Sequence, residues 1–494
     1  MRPNPNEEKG NRMKHRRNRW PAWTIVFALL CMLCACGGPA SSGQEVQTPD
    51  GLGADEGNVL SLQTPGLTAG PAGSGSDLIP LSRETDQGCY TLGGHDEGAY
   101  DLLCYVDYAL AEEIPLCAQP SCAHDSDACT AFLEQGKNAF EPQIGDGSAI
   151  FFVMMDHETQ QNEIWAADPN GSGRRILMHG DSGTNRHSPV AEDDAFLYYT
   201  YYFIRRAEGE EPEVGFRLAR VPLAGGECED ISSWEDHYGN GVGYEFLGVS
   251  GREIAVYRYD WGAPIEIVVP EGASPEEMDA AIEAQQEKER QQTGYHSVLL
   301  VNVDTGTQRE LDTWSSTSGS AGRSCLWDQG RLYWCADHTY GPVHWLDTDG
   351  QSGELPILPE KSNDENALYT LNRIVQGKIL VDCYSPAADS VSRCAIDLSG
   401  DPADGGSAGS AQPLTLRYLH AVSERPVRIQ GQGEAGLLVL YEESMEQSTG
   451  FYEDGTAKSN FSVTMRYGMI SYEDYFANRP NYRPVEMSYG FAPR

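Results

Sequence analysis

The sequence predicts an all-β chain: a seven-bladed β-propeller with a helical insertion in one blade, following a disordered N-terminal tether. Three observations lead there. Beyond about residue 85, short runs of β-branched and aromatic residues alternate with turn residues, and helical periodicity is scarce. One unit, a turn containing Gly or Asp followed by an apolar strand, occurs seven times. The steps between copies, 47 to 79 residues, suit four-stranded blades of roughly 40 to 50 residues with insertions.

The first element is an export signal. Seven cations between Arg2 and Arg19 precede an apolar segment, Trp20 to Ala35, which is shorter than the roughly 20 residues a spanning helix needs. It ends in Leu33-Cys34-Ala35-Cys36, the arrangement cut by a lipoprotein signal peptidase, although Cys34 replaces the small or hydroxylated residue usual there. Residues 1–35 are therefore expected to be removed and Cys36 to carry a lipid. That would place the protein outside the cell, anchored to the outer face of a bacterial cytoplasmic membrane. Residues 36–80 are rich in Gly, Ser, Pro, Ala and Thr and nearly free of aromatics. Such a tether spans roughly 35 to 40 Å as a flexible coil. The propeller is expected over residues 81–494.

The repeated turns begin the strands at Gly88-Cys89-Tyr90, Ala149-Ile150-Phe151-Phe152, Ala195-Phe196-Leu197-Tyr198, Ile254-Ala255-Val256, Leu332-Tyr333-Trp334, Ile379-Leu380-Val381 and Leu437-Leu438-Val439-Leu440. A second class of turn follows most of them, including Asp168 to Gly173, Gly225-Gly226, Asp304-Thr305-Gly306, Asp347 to Gly350 and Asp397 to Gly400. A lone four-stranded sheet leaves both faces wet, so the sheets must stack around an axis. Six or eight blades are the alternatives to seven. The first blade starts close to the tether, so a C-terminal strand from Phe461 to Tyr489 is expected to join it and close the ring. The two turn classes are expected on opposite faces, with the loops of neither class sharing one face. The long insertions Cys117–Cys129, Arg205–Gly215, Gly262–Gly294 and Glu442–Lys458 would crowd that face. Within one of them, Ser274-Pro275-Glu276-Glu277 is a capping box with Pro at the first helical position, predicting a helix over about 274–292.

The chain carries a formal charge of −39, and about −44 once residues 1–35 are removed. An acidic surface repels phosphate backbones, so nucleic acid is excluded as a partner. Gly-x-Ser-x-Gly, phosphate-loop and His-Glu-x-x-His motifs are missing. Gly180-Asp181-Ser182-Gly183 lacks the company that would make it a protease signature, and Asp347 to Gly350 and Asp168 to Gly173 read as turns rather than calcium loops. No catalytic residue is assigned.

Ten cysteines follow Cys36, and an even number in an exported protein suggests disulfides. Cys89 with Cys104 and Cys383 with Cys394 would face one another across hairpins, and Cys325 with Cys335 flanks a turn. Four others are Cys117, Cys122, Cys129 and Cys228. With His124, the first three compose a Cys117–Cys129 block that offers three readings: two disulfides that use Cys228, a tetrahedral structural zinc site on Cys117, Cys122, His124 and Cys129, or free thiols. No other cofactor is expected.

The lipid signal, the tether, the Cys117 to Cys129 block with its Cys-x-His, and turns such as Asp168-Pro169-Asn170-Gly171-Ser172-Gly173 together resemble surface lipoproteins of Gram-positive, clostridial gut bacteria with TolB-like propellers. That resemblance implies architecture, location and a non-enzymatic binding role. A scaffold presenting its loop-rich face to a protein, peptide or glycan follows. A glycan hydrolase or lyase using carboxylates at the propeller mouth, and a metal- or redox-responsive module, are the alternatives.

Overall fold

The computed structural model describes residues 76–488 apart from 96–99, 118, 120, 134–136, 141, 181–183, 206–212, 238–241, 263–272, 318–322, 336–340, 358–366, 399–410, 421–422 and 452–456. The signal segment, Cys36, most of the tether and parts of the long insertions thus lie outside the described residues. No described helix is long and apolar enough to cross a membrane.

Among the described residues seven antiparallel sheets follow one another along the chain as seven propeller blades, as the turn repeat predicts, and an eighth, the two-stranded hairpin Arg417–His420 with Ser423–Pro426, lies between blades six and seven in the sequence. Blade one holds strands Gly88–His95, Tyr100–Asp107 and Glu112–Pro115. Blade two runs from Lys137–Ala139 to Arg175–His179, blade three from Thr184–Glu192 to Glu229–His237, and blade four from Val242–Ser250 to Gln308–Thr317. Blade five runs from Ser324–Asp328 to Ser352–Ile357, blade six from Leu368–Val375 to Gln412–Leu414, and blade seven from Arg428–Gly433 to Arg483–Val485. The turns that begin the repeats have the backbone this requires. Gln329-Gly330 and Gln376-Gly377 both have positive φ at each residue, which gives a two-residue hairpin whose twist matches its strands.

Alternating apolar side chains pack neighbouring blades together. Leu92 and Leu103 of blade one meet Ile150 and Phe152 of blade two, Tyr198 and Leu218 of blade three meet Ile254 and Val256 of blade four, and Leu438 and Leu440 of blade seven return to Cys89 and Val106 of blade one. Comparable clusters join blades two and three, five and six, and six and seven.

Two expectations are corrected. Strands in these sheets alternate in direction, so both turn classes fall on the same face of the ring, here the turn face. The connections between the second and third strands, and between blades, form the opposite, loop-rich face. The C-terminal segment does not supply blade one with an inner strand, because Ala457–Ile470 and Arg483–Val485 belong to blade seven. It reaches blade one through one parallel bridge, Glu112 with Glu486. The inner edge of blade one is filled instead from the N-terminal side, where Glu84 pairs with Cys89.

This N-terminal segment is a strap. Leu78 donates to Gly251 O of blade four, Ile79–Pro80 pairs with Ala191 and Glu192 of blade three, and Ser82 pairs with Ile144 of blade two. Arg83 then reaches Gln430 of blade seven, and Glu84 pairs with Arg373 of blade six. Residues 78–84 thus tie six of the seven blades at the turn-face end of the axis.

The helix Pro275–Gln291 forms inside blade four as predicted, with the Ser274–Glu277 capping box in place and no buried residue. It leaves from the loop-rich face, as does the extended hairpin Gly436–Phe451 and Ala457–Ile470 of blade seven.

Candidate metal centre

The Tyr100–Asp107 strand of blade one pairs with two separate pieces of chain along its outer edge. Leu116 donates to Leu103 O at 2.9 Å, Leu103 donates to Ala131 O at 2.8 Å, and Leu133 donates to Asp101 O at 3.0 Å. The outermost strand therefore breaks after Leu116 and resumes at Ala131, and the intervening residues form a loop on the perimeter of the ring. Thr130 closes its neck by donating to Leu116 O at 2.8 Å. Arg174 of blade two donates to Phe132 O at 2.6 Å and also to Thr130 O. The Asp168–Gly173 turn of blade two presses against the same neck: a Cβ on Gly171 would sit 2.5 Å from Leu116 O. The loop thus sits against the turn face of blade two, not on the loop-rich face where its sequence position placed it.

Inside this loop the ligand atoms of Cys117, Cys122, His124 and Cys129 all lie within 4.8 Å of one another. His124 Nδ1 is 3.2 Å from Cys129 Sγ. The separation suits a metal: bonds of about 2.3 Å to sulfur in a tetrahedron put sulfurs about 3.8 Å apart. Ser121 and His124 adopt positive φ of 60° and 58°, a conformation that residues with a Cβ adopt only when their surroundings hold them there. Beneath the cluster pack Leu102, Cys104 and Ala131.

The thiols differ electrostatically. Burial raises Cys117, but hydrogen bonds from the Gln119 and Thr130 backbone and from its neighbouring thiols leave its pKa below the ordinary value. Burial pushes Cys129 up to about 11. Metal binding would take the protons from these thiols, more readily from Cys117 than from Cys129. Cys104 is fully buried, and that burial holds its pKa well above the ordinary value, so it stays a thiol.

The sequence-based disulfide pairs are corrected. None of the ten described cysteines forms a disulfide. Cys89 faces Val106 while Cys104 faces Thr91, and Cys383 faces Ser392 while Cys394 faces Val381. Each pair is thus a diagonal, two residues out of register, at about 7 to 8 Å rather than facing. Cys325 faces Trp334, so Cys335 projects from the other side of its sheet. Cys228 is exposed and forms no disulfide.

No family model and no curated protein matches the sequence. Solved structures resemble it at low identity. An oligogalacturonate lyase in complex with manganese is 13% identical with a TM-score of 0.34, over 78% of this chain and 85% of that one. The β-propeller domain of the Trilobed protease from Pyrococcus furiosus is 12% identical with a TM-score of 0.38, over 78% of this chain and 97% of that one. The WD40 domain of SCAP from fission yeast is 8% identical with a TM-score of 0.27, over 66% and 84%.

Proposed function

We propose that this protein is an exported, lipid-anchored binding protein that presents the loop-rich face of its propeller to a protein, peptide or glycan and staples its perimeter loop with a structural zinc ion. The observation that carries the binding role is the asymmetry of the ring. Its turn face is crossed by the strap and carries, besides short turns, the longer connections 398–411 of blade six and 471–482 of blade seven, whereas the helix Pro275–Gln291 and the blade-seven hairpin both leave the opposite face. Loops gathered on one side of a rigid scaffold are where binding residues concentrate. Zinc is favoured at the cluster because three thiols and an imidazole suit it, and four protein ligands leave no open position for a substrate. Zinc bound there would hold the loop's ends and its strained residues in place.

The binding role is tested by capture on a propeller of residues 76–494, followed by identification of the partner and a direct affinity measurement with that purified partner. Deleting the helix should weaken binding tenfold or more while the melting temperature holds. Binding unaffected by changes anywhere on the loop-rich face refutes the reading.

A further inference from the structure

Among the described residues the ring offers an oxidant one place at which to cross-link the chain without moving strands. Cys89 with Cys104 and Cys383 with Cys394 are diagonal neighbours held apart by their ladders, and Cys325 and Cys335 project from opposite sides of one sheet. Cys228 is exposed and stands outside the cluster. In the perimeter loop thiols do converge, with the Sγ atoms of Cys117, Cys122 and Cys129 within 4.8 Å of one another. A disulfide needs about 2.05 Å between sulfurs, so a pair has at most roughly 3 Å to close. A loop can supply that movement where a paired strand cannot.

The three sulfurs are not equally placed. Cys129 is 2% exposed, and its Sγ accepts from Ala131 N–H at 3.3 Å and lies 3.2 Å from His124 Nδ1. Cys117 and Cys122 are both partly exposed, and their thiols hydrogen-bond to each other. The turn that brings them together is closed by Cys122 N–H donating to Gln119 O at 3.4 Å. A small oxidant arriving from solvent therefore meets Cys117 and Cys122 and finds Cys129 shielded. With four protein ligands around zinc, sulfur rather than the ion is what such an oxidant attacks.

We propose that the cluster is a redox clasp, in which a peroxide joins Cys117 to Cys122 and releases zinc. This rests on the zinc reading above and adds the regulation of that site. One of the two thiolates attacks a peroxide oxygen, the O–O bond breaks, and a sulfenic acid and hydroxide form. The other thiolate attacks the sulfenic sulfur, the S–S bond forms, and the S–O bond breaks to give a second hydroxide. Two electrons pass from the sulfurs to the peroxide, and two protons from solvent convert the hydroxides to water. Cys129 and His124 alone remain as ligands, half of what a structural zinc site uses. Cys104, fully buried beneath the cluster, takes no part.

The test uses residues 76–494, reduced with dithiothreitol, loaded with zinc, cleared of both by gel filtration and then treated with hydrogen peroxide at neutral pH. A chromogenic chelator reads the ion, intact mass reads the oxidation and peptide mapping reads the pairing. Release of about one zinc per chain is expected, together with the loss of two hydrogens in mass and a Cys117–Cys122 link. Dithiothreitol with fresh zinc should restore the starting state. Cys228→Ser, which removes the exposed cysteine outside the cluster, should behave as the parent does. Zinc retained through oxidation, release with sulfinic acid and no link, a link that uses Cys129 or Cys228, or failure of dithiothreitol to reverse the change overturns the clasp and leaves the zinc reading standing. A reduced chain that takes up no zinc removes both.

Discussion

Replacing Cys129 by Ser removes the one buried ligand of the metal cluster, and its consequences can be worked out from the loop. Fixing the backbone from Cys117 to Cys129 costs about 1 to 2 kcal/mol per residue, or roughly 13 to 26 kcal/mol. Against this the loop sets little apolar burial, mainly on Leu102, Cys104, Ala131 and Phe132. On the proposed reading zinc would supply much of the difference, since structural zinc sites provide about 10 to 16 kcal/mol. The ring does not depend on the loop, because the Glu112–Pro115 strand and the hydrogen bonds at Leu103 and Leu133 are made outside it. Loss of zinc should therefore melt the loop and only lower the stability of the whole. At free zinc 1,000-fold above Kd the lost linkage is about 4 kcal/mol. With about 2.1 cal/mol/K per residue over roughly 400 residues, the melting temperature should fall by about 5 °C. Elemental analysis, differential scanning fluorimetry with and without chelator, and amide exchange together read the outcome. About one zinc per chain is expected, lost in Cys129→Ser along with exchange protection between residues 117 and 130. A metal-free protein that is indifferent to chelator and whose cluster sulfurs resist alkylation would refute the account and restore the disulfide reading.

Three other perturbations probe separate levels of the structure. Cys36→Ala should shift the protein from the membrane fraction to the medium, and unchanged membrane retention counts against lipidation. Arg252 bonds Asp193, Asp304 and Ser76 O at once, and the Asp193 side chain is fully buried; Arg252→Met should cost about 3 to 5 kcal/mol by stranding that charge, and a loss under 1 kcal/mol by urea denaturation contradicts the role. Burial, helped by the Asp146 and Asp193 charges, raises Glu192 to about 7. The folded state then keeps a proton that the unfolded chain releases near pH 4, so this contribution to stability is fully present below pH 4 and lost as pH rises through 7. Glu192→Gln should thus match the parent at pH 4.5 and exceed it by roughly 1 to 3 kcal/mol above pH 7; a pH-independent difference would show that the carboxyl does not titrate there.

The blades were legible because each begins with a turn that only a few residues can make, as at Gln329-Gly330, followed by residues bulky enough to mark a buried strand. Faces and partners were harder to read. Pairing Cys325 with Cys335 by proximity ignored that a one-residue offset reverses a side chain's direction, and pairing Cys89 with Cys104 ignored a two-residue diagonal. The cluster of Cys117, Cys122, His124 and Cys129 could be read because all four sit within one loop. Its place on the perimeter could not, since that depends on a strand interrupted and resumed across Leu103. The strap was hidden by its Gly- and Ser-rich surroundings, though the apolar run Leu78-Ile79-Pro80-Leu81 was a usable signal.

The central claim is that the two faces of this ring differ in purpose. Photo-cross-linking residues placed at Ile282 and Met445, both exposed on loop-rich excursions, and at Asp349 and Glu434 on the turn face test it on intact cells. Adducts from the first pair alone are the predicted result; adducts from the turn-face pair, with none from Ile282 or Met445, would contradict it.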